Sequence, residues 1–261
     1  MSIDLTRLSA ASILLSCVMA SAAAAAAIEV TITNEQDADG LFLTPLLSIF
    51  HDGTYDTFDA GGSASIGVET IAETGNAMPE SDAAMLAGAT TGVITSPGGF
   101  PGAPVIDPGE TASMTFDLDP NNDRFFSYLS MVIPSNDLFI GNENSMAYEV
   151  FDIAGAFTNL GAIQIFTTDI WDAGTEENNN LGAAFNAASG VETDTNDPIT
   201  QQVSVFFLSG QSTAAETTLN LPQDATHLAT IELSQVPVPA AFPMLLLGLG
   251  GLGFAARRRK G

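Results

Sequence analysis

The loop Thr168-Asp169-Ile170-Trp171-Asp172-Ala173-Gly174-Thr175-Glu176-Glu177-Asn178 concentrates the groups best suited to chemistry in this chain of 261 residues. Asp172 and Glu176 are separated by Ala-Gly-Thr, small residues that let the loop fold back until both carboxylates face one point. A second segment, Val132 to Gly141, presents Asp137 between Pro134 and the apolar triplet Leu138-Phe139-Ile140. Three carboxylates from two loops suit a hard cation. Calcium accepts about six to eight oxygens in flexible geometry and magnesium demands a tighter octahedron, so calcium is the expected ion at Asp137, Asp172 and Glu176. Trp171, the only tryptophan, follows a strand pattern and is expected to anchor the loop as a large buried ring.

Other constellations carry less. Asp117-Leu118-Asp119-Pro120-Asn121-Asn122-Asp123 imitates the start of an EF-hand loop, yet Asn122 stands where that motif needs Gly and Tyr128 where it needs Glu. A turn with Asx side chains bonded to backbone is expected, and the same holds for Glu192 to Asp197. Hydrolysis would need a nucleophile and a base. No Gly-x-Ser-x-Gly elbow is present, and the histidines are His51 and His227. His51, beside Asp52, is expected to hold a turn, and His227 to lie exposed before the last strand. Arg124, among Asp119, Asp123 and other acids, is expected to make an ion pair or to bond backbone carbonyls. No catalytic residue is assigned.

The elements that must position these groups show period-2 alternation. Ile28–Thr33, Ala112–Leu118, Gln202–Phe207 and Leu228–Leu233 alternate apolar and polar residues. Leu41–His51, Phe125–Ile133, Ala147–Ile153 and Ile163–Thr168 complete about eight strands separated by Gly, Asn, Asp and Pro clusters, the pattern of an antiparallel β-sandwich. Ser65–Glu73 and Glu80–Gly88 read as short helices, the second with Pro79 and acidic residues at its positive end. Ser96 to Pro104 is too dense in Gly and Pro to hold a ladder.

Both ends read as targeting segments. Residues 1–27 carry Arg7, an apolar run from Ala10 to Ala20 and a poly-Ala stretch, the make-up of a signal peptide. Leu14-Leu15-Ser16-Cys17 is the alternative, a lipidation site on Cys17. Residues 236–261 join Val236-Pro237-Val238-Pro239-Ala240 to an apolar run and Arg257-Arg258-Arg259-Lys260. The 21 uncharged residues from Val236 to Ala256 match the roughly 20 that span a bilayer, and the basic cluster is expected to stay cytoplasmic.

The 208 residues between, 28–235, suffice for one domain. They hold a single basic residue, Arg124, against 30 acidic ones, a formal charge of −29. Such a surface excludes nucleic acid and anionic lipid as partners and favours divalent cations. Cys17, the only cysteine, leaves with the signal peptide, so a bound metal is the available staple.

Ser130 to Gly141 and Trp171 to Glu176 resemble the two most distinctive segments of the spondin N-terminal domain. Leu43-Thr44-Pro45-Leu46-Leu47-Ser48 and Gly67 to Gly75 resemble further pieces in the same order. The resemblance implies a C2-like β-sandwich that binds calcium at one end through Asp137, Asp172 and Glu176. At Glu176 the family more often has Asp; Glu reaches one methylene further and still chelates bidentately. Val-Pro-Val-Pro-Ala with the span and basic tail resembles the VPxPA variant of PEP-CTERM sorting signals. That implies an exosortase as processing partner, a transient transmembrane stage and display on the surface of a Gram-negative cell. The expected protein is a secreted, non-enzymatic adhesion module with an extracellular-matrix, polysaccharide or protein partner. A metal-dependent hydrolase of extracellular polymers and a structural matrix protein are the alternatives.

Overall fold

The computed structural model describes residues 25–96, 98, 104–202 and 204–237. Two sheets form, and every strand pairing in them is antiparallel. The first contains β5 (Thr111–Leu118), β1 (Ala26–Asn34), β11 (His227–Gln235) and β8 (Ala162–Phe166), in that order. The second runs β10 (Thr200–Gln202), β9 (Ile170–Asp172), β7 (Leu138–Gly141), β6 (Phe125–Ile133), β3 (Leu46–His51) and β4 (Thr90–Ile94), with β2 (Phe42–Leu43) also on β6. Helices α1 (Ile66–Thr74) and α2 (Met78–Leu86) pack on that sheet, giving three layers.

Residue patterns explain the layering. In β1 buried and half-buried residues alternate, because one face meets the core and the other meets water. Strands β3 and β7 are buried throughout, and β6 nearly so, because the second sheet is covered on both faces. Ile28, Val30, Ile32, Phe116 and Ile231 pack against Phe50, Phe126, Leu138 and Ile140 between the sheets. Leu47, Ile49, Leu129 and Phe139 point the other way, against Val68, Ile71 and Ala72 of α1 and Ala84 of α2. Ser65 caps α1 by accepting the Val68 N–H, and Gly75 ends it at φ 69°. Buried Glu80 of α2 accepts from Tyr55 Oη at 2.6 Å and Ser65 Oγ at 3.3 Å, tying the helix pair together.

Three expected strands change form. Gln202–Phe207 is not a strand: β10 stops at Gln202, and a 3-10 helix covers Phe206–Leu208. Ser204 Oγ accepts the Phe206 N–H there, and Val205 and Leu208 are both buried, a helical rather than alternating spacing. Ala147–Ile153 forms only isolated bridges, Phe125 with Glu149 and Phe151 with Phe157. Asp152 turns the chain at that point by accepting the N–H groups of Ala154 and Ala156. Leu41–His51 is split at Thr44-Pro45 into β2 and β3. β4 was not expected, because Gly92 interrupts its pattern; a Cβ there would stand 2.5 Å from Phe116. β1 begins at Ala26, two residues inside the segment read as signal peptide.

Candidate metal centre

Asp137 and Asp172 are brought together by strand pairing. β7 and β9 are adjacent, with Leu138 opposite Asp172, so the residue before β7 and the residue ending β9 share one end of the sheet. Ser135 makes the approach tight: its Oγ donates to the Val132 carbonyl at 2.5 Å and accepts the Leu138 N–H at 3.1 Å. Asp137 then reaches across to the next loop. Its Oδ2 accepts the N–H groups of Thr175 at 2.8 Å and Glu176 at 3.0 Å, and its carbonyl accepts the Ala173 N–H.

The loop after β9 folds back as its small residues predict. Asp172 Oδ1 accepts the Gly174 N–H at 2.8 Å, and Gly174 takes φ 70°. A Cβ on Gly174 would lie 2.4 Å from the Asp197 carbonyl oxygen, so only glycine fits this turn. Asp172 Oδ2 accepts from Asn178 Nδ2 at 2.5 Å. Trp171 is half-buried against Phe58, with its indole N–H on the Gly141 carbonyl. A cavity of about 270 Å³ opens beside this turn, lined by Asp172, Glu176, Asn178, Thr195 and Asp197 among others.

Glu176 faces a different neighbourhood. Its Oε2 accepts from Asn136 Nδ2 at 3.1 Å, and Asn136, 1 % exposed, also binds the Asn180 N–H and the Leu181 carbonyl. Among the described residues, no group of three or more His, Cys, Asp or Glu side chains is arranged to hold a metal ion. Asp137 lies close enough to Asp172 to feel its charge, and Glu176 is within reach of the charges of Glu73, Asp137 and Glu192 while it bonds Asn136.

Burial, ahead of neighbouring charge, perturbs the carboxyl groups at this end of the sheet. Burial, then the Asp172 charge, push the Asp137 carboxyl up to about 6 against the opposing backbone hydrogen bonds. Burial raises Asp172 as well, against the Gly174 and Asn178 bonds. Glu176 is pushed up to about 7 by burial and by the charges of Glu73, Asp137 and Glu192, opposed by Asn136. Asp137 is fully buried, yet its Oδ1 has no hydrogen-bond partner, and neither has the buried Oδ1 of Asn178. Orphaned carboxylate and amide oxygens are donor types that a hard cation takes.

Asn136 and Asn178 lie inside the segments read from the sequence but were not singled out there. Asp197 and Glu73 come from distant loop and helix positions, and no local spacing points to them. Elsewhere the readings of Arg124, Asp119 and His51 hold, and that of His227 does not. Arg124 pairs with Glu149 at 2.6 Å and lies over the Phe125 ring. Asp119 Oδ1 accepts from Asn121 and its Oδ2 from Asn122, an Asx turn. His51 Nδ1 accepts the Gly53 N–H, which puts the ring proton on Nε2, facing Ser127 Oγ at 3.1 Å. A ring donating to Ser127 cannot be its base. His227 opens β11 half-buried rather than exposed.

A β-sandwich with an acidic, loop-built site at one end defines the class of protein. Residues 40–213 match the family Spondin_N, and the chain belongs to that family of extracellular domains. Residues 235–260 match the PEP-CTERM protein-sorting motif. The protein is secreted and displayed at the cell surface, held transiently by its C-terminal segment, and the motif implies processing by an exosortase. No curated protein matches the chain. Among the described residues no helix is long and apolar enough to cross a membrane. The span expected over Val236–Ala256 lies outside the described residues beyond Pro237.

Proposed function

We propose that the domain is a calcium-dependent, non-enzymatic binding module that engages an extracellular-matrix, polysaccharide or protein partner at the cell surface. One observation carries this reading: the fully buried Asp137 keeps an unpartnered Oδ1 beside Asp172. Two carboxylates so placed repel each other in the metal-free state, and a divalent ion would replace that repulsion with attraction. Asp137 Oδ1, Asp172 and Asn178 Oδ1 are the oxygens available, and Glu176 supplies a further carboxylate on release from Asn136. Fewer than the six to eight oxygens calcium takes come from this set, about half, which leaves positions for water or an acidic group of a partner. The domain's contribution is to bind and to orient; the tautomer of His51 argues against a hydrolytic role for the Ser127 pair.

Thermal unfolding in calcium and in excess chelator tests the site. At about 100 times its dissociation constant, calcium should stabilise the wild-type domain by roughly 2.7 kcal/mol, and Asp172→Asn should abolish most of that gain. A wild-type midpoint indifferent to calcium overturns the reading.

A further inference from the structure

The chain leaves the sandwich at one end, and the strand pairings fix what else stands there. Gln235, the last residue of β11, lies opposite Ile28, and the Val236 N–H donates to the Ala27 carbonyl. Ala26 in turn lies opposite Leu118, the last residue of β5. Residues 119–124 carry the chain across to the second sheet, where Phe125 at the start of β6 stands opposite His51, and Phe50 opposite Thr90. The exit therefore shares an end with the start of β6, the end of β3 and the start of β4. Asp137 is at the other end: Met131, further along β6, pairs with Phe139, just past Asp137.

The exit end carries apolar tips. Leu86 ends α2 shortly before Thr90, and the cavity beside Gly88 and Ala89 is shared with His51, Asp52 and Asn122. Ile153 lies in a turn packed on the 119–124 crossing, since a Cβ on Gly155 would stand 3.3 Å from Pro120. Met146 Sδ lies 3.5 Å from where Gly53 would carry a Cβ. Among the described residues Leu86 and Ile153 are the most exposed large apolar side chains, both 92 % exposed, and Met146 is 56 % exposed. Their backbones are held in place. Asp152 Oδ1 accepts the Ala154 and Ala156 N–H groups, Asn144 Oδ1 accepts the Met146 N–H, and the Ala87 N–H donates to the Ala83 and Ala84 carbonyls. Large apolar side chains gathered at one end mark an interaction surface, whereas single ones scattered over a protein do not.

The chain beyond β11 says what faces this end. From Pro237 to Phe242, where the apolar run begins, are five residues, which reach at most roughly 18 Å. While the sorting segment holds the protein at the membrane, a bilayer surface is within that reach of Leu86, Met146 and Ile153. So short a tether gives an effective concentration in the millimolar range, and contacts too weak to recruit a free protein then suffice. Asp52, Asp119 and Asp152 stand among the tips, and Arg124 is already paired with Glu149. The face therefore fits zwitterionic headgroups and repels anionic ones.

We propose that this end of the domain docks on the bilayer through Leu86, Met146 and Ile153 for as long as the C-terminal segment anchors the chain. The apolar tips enter the headgroup boundary, as interfacial side chains do. The Asp137–Asp172 end is then carried outward by up to the length of the nine-residue β6, about 30 Å. This inference rests on the sorting segment and is independent of calcium binding.

The test places the exported chain, in a Cys17→Ser background and with its sorting segment intact, in phosphatidylcholine nanodiscs. Nitroxide labels are read on Leu86→Cys, on Ile153→Cys and, at the opposite end beside Glu192, on Val191→Cys, where the native side chain is 77 % exposed. Labels at 86 and 153 should collide with a water-soluble nickel chelate several-fold less often than the label at 191, and more often with oxygen, which concentrates in lipid. A Met146→Cys label should be shielded in the same way and lose that shielding in Leu86→Asp/Ile153→Asp. Equal access at 86, 153 and 191 overturns the proposal. Shielding at 146 that survives the double substitution overturns it as well, because the tether alone then accounts for it. Shielding at 86 and 153 that persists once processing has released the domain from lipid assigns the face to a protein contact, a second copy included, and overturns it too.

Discussion

Burial and the neighbouring Asp172 charge raise Asp137 from 3.8 to about 6, and burial with surrounding acids raises Glu176 from 4.5 to about 7. The folded state thus binds these protons more tightly than the unfolded chain. Their contribution to stability is complete below the unfolded values and is lost as pH rises through the folded ones. Without calcium, the thermal midpoint should therefore fall between about pH 4 and pH 7, with Asp137 alone accounting for something on the order of 3 kcal/mol. Asp137→Asn should flatten that slope, because it keeps an acceptor for the Thr175 and Glu176 N–H groups while removing the charge. Chelator-treated wild type and Asp137→Asn with parallel pH profiles would show that Asp137 is not the titrating group. Asp137, Asp172 and Glu176 were legible as residues because local spacing marks them. That Glu176 binds Asn136 instead of joining the other two was not, because Asn136 is held by residues some 40 positions away.

Among the elements, the β9 loop links fold to site. Gly174 occupies a left-handed conformation and abuts the Asp197 carbonyl, so Gly174→Ala meets both a torsional and a steric obstacle. It should destabilise the domain by about 1–3 kcal/mol and weaken calcium binding, because the Asp172 carboxylate is oriented by the Gly174 N–H. Calorimetric titration of the folded variant separates the two effects; unchanged affinity would mean that the turn does not orient Asp172. Strands with clean alternation, β1 and β5, were readable, and so was β6 over Phe125–Ile133. β4 was not, because Gly92 is there to admit Phe116 from the facing sheet. Ala147–Ile153 alternates, yet Asp152 closes a turn around its own backbone and removes the segment from any ladder.

For the whole molecule, the charge of −29 over residues 28–235 acts without any particular site. Monovalent salt shortens the screening length from roughly 30 Å at 0.01 M to roughly 3 Å at 1 M and so relieves repulsion among surface acids. The midpoint should rise across that range by a similar amount in wild type and in Asp172→Asn, whereas the calcium response should vanish only in the variant. A salt response absent from both would show that repulsion among the surface acids does not limit the stability of the fold.

What the sequence determined by itself was local: alternation made an antiparallel sandwich, Ser65 and Gly75 bounded a helix, and the terminal segments marked a secreted, surface-sorted protein. Composition, with 30 acidic residues against one basic over residues 28–235, favoured divalent cations without indicating a site. Only the tertiary structure decided which acids stand together. It placed Asp137 opposite the end of β9 and turned Glu176 toward Asn136. Side chains 35 to 40 residues apart meet through strand order and register, which arise from the burial of two faces of one sheet and leave no trace in any short stretch of sequence.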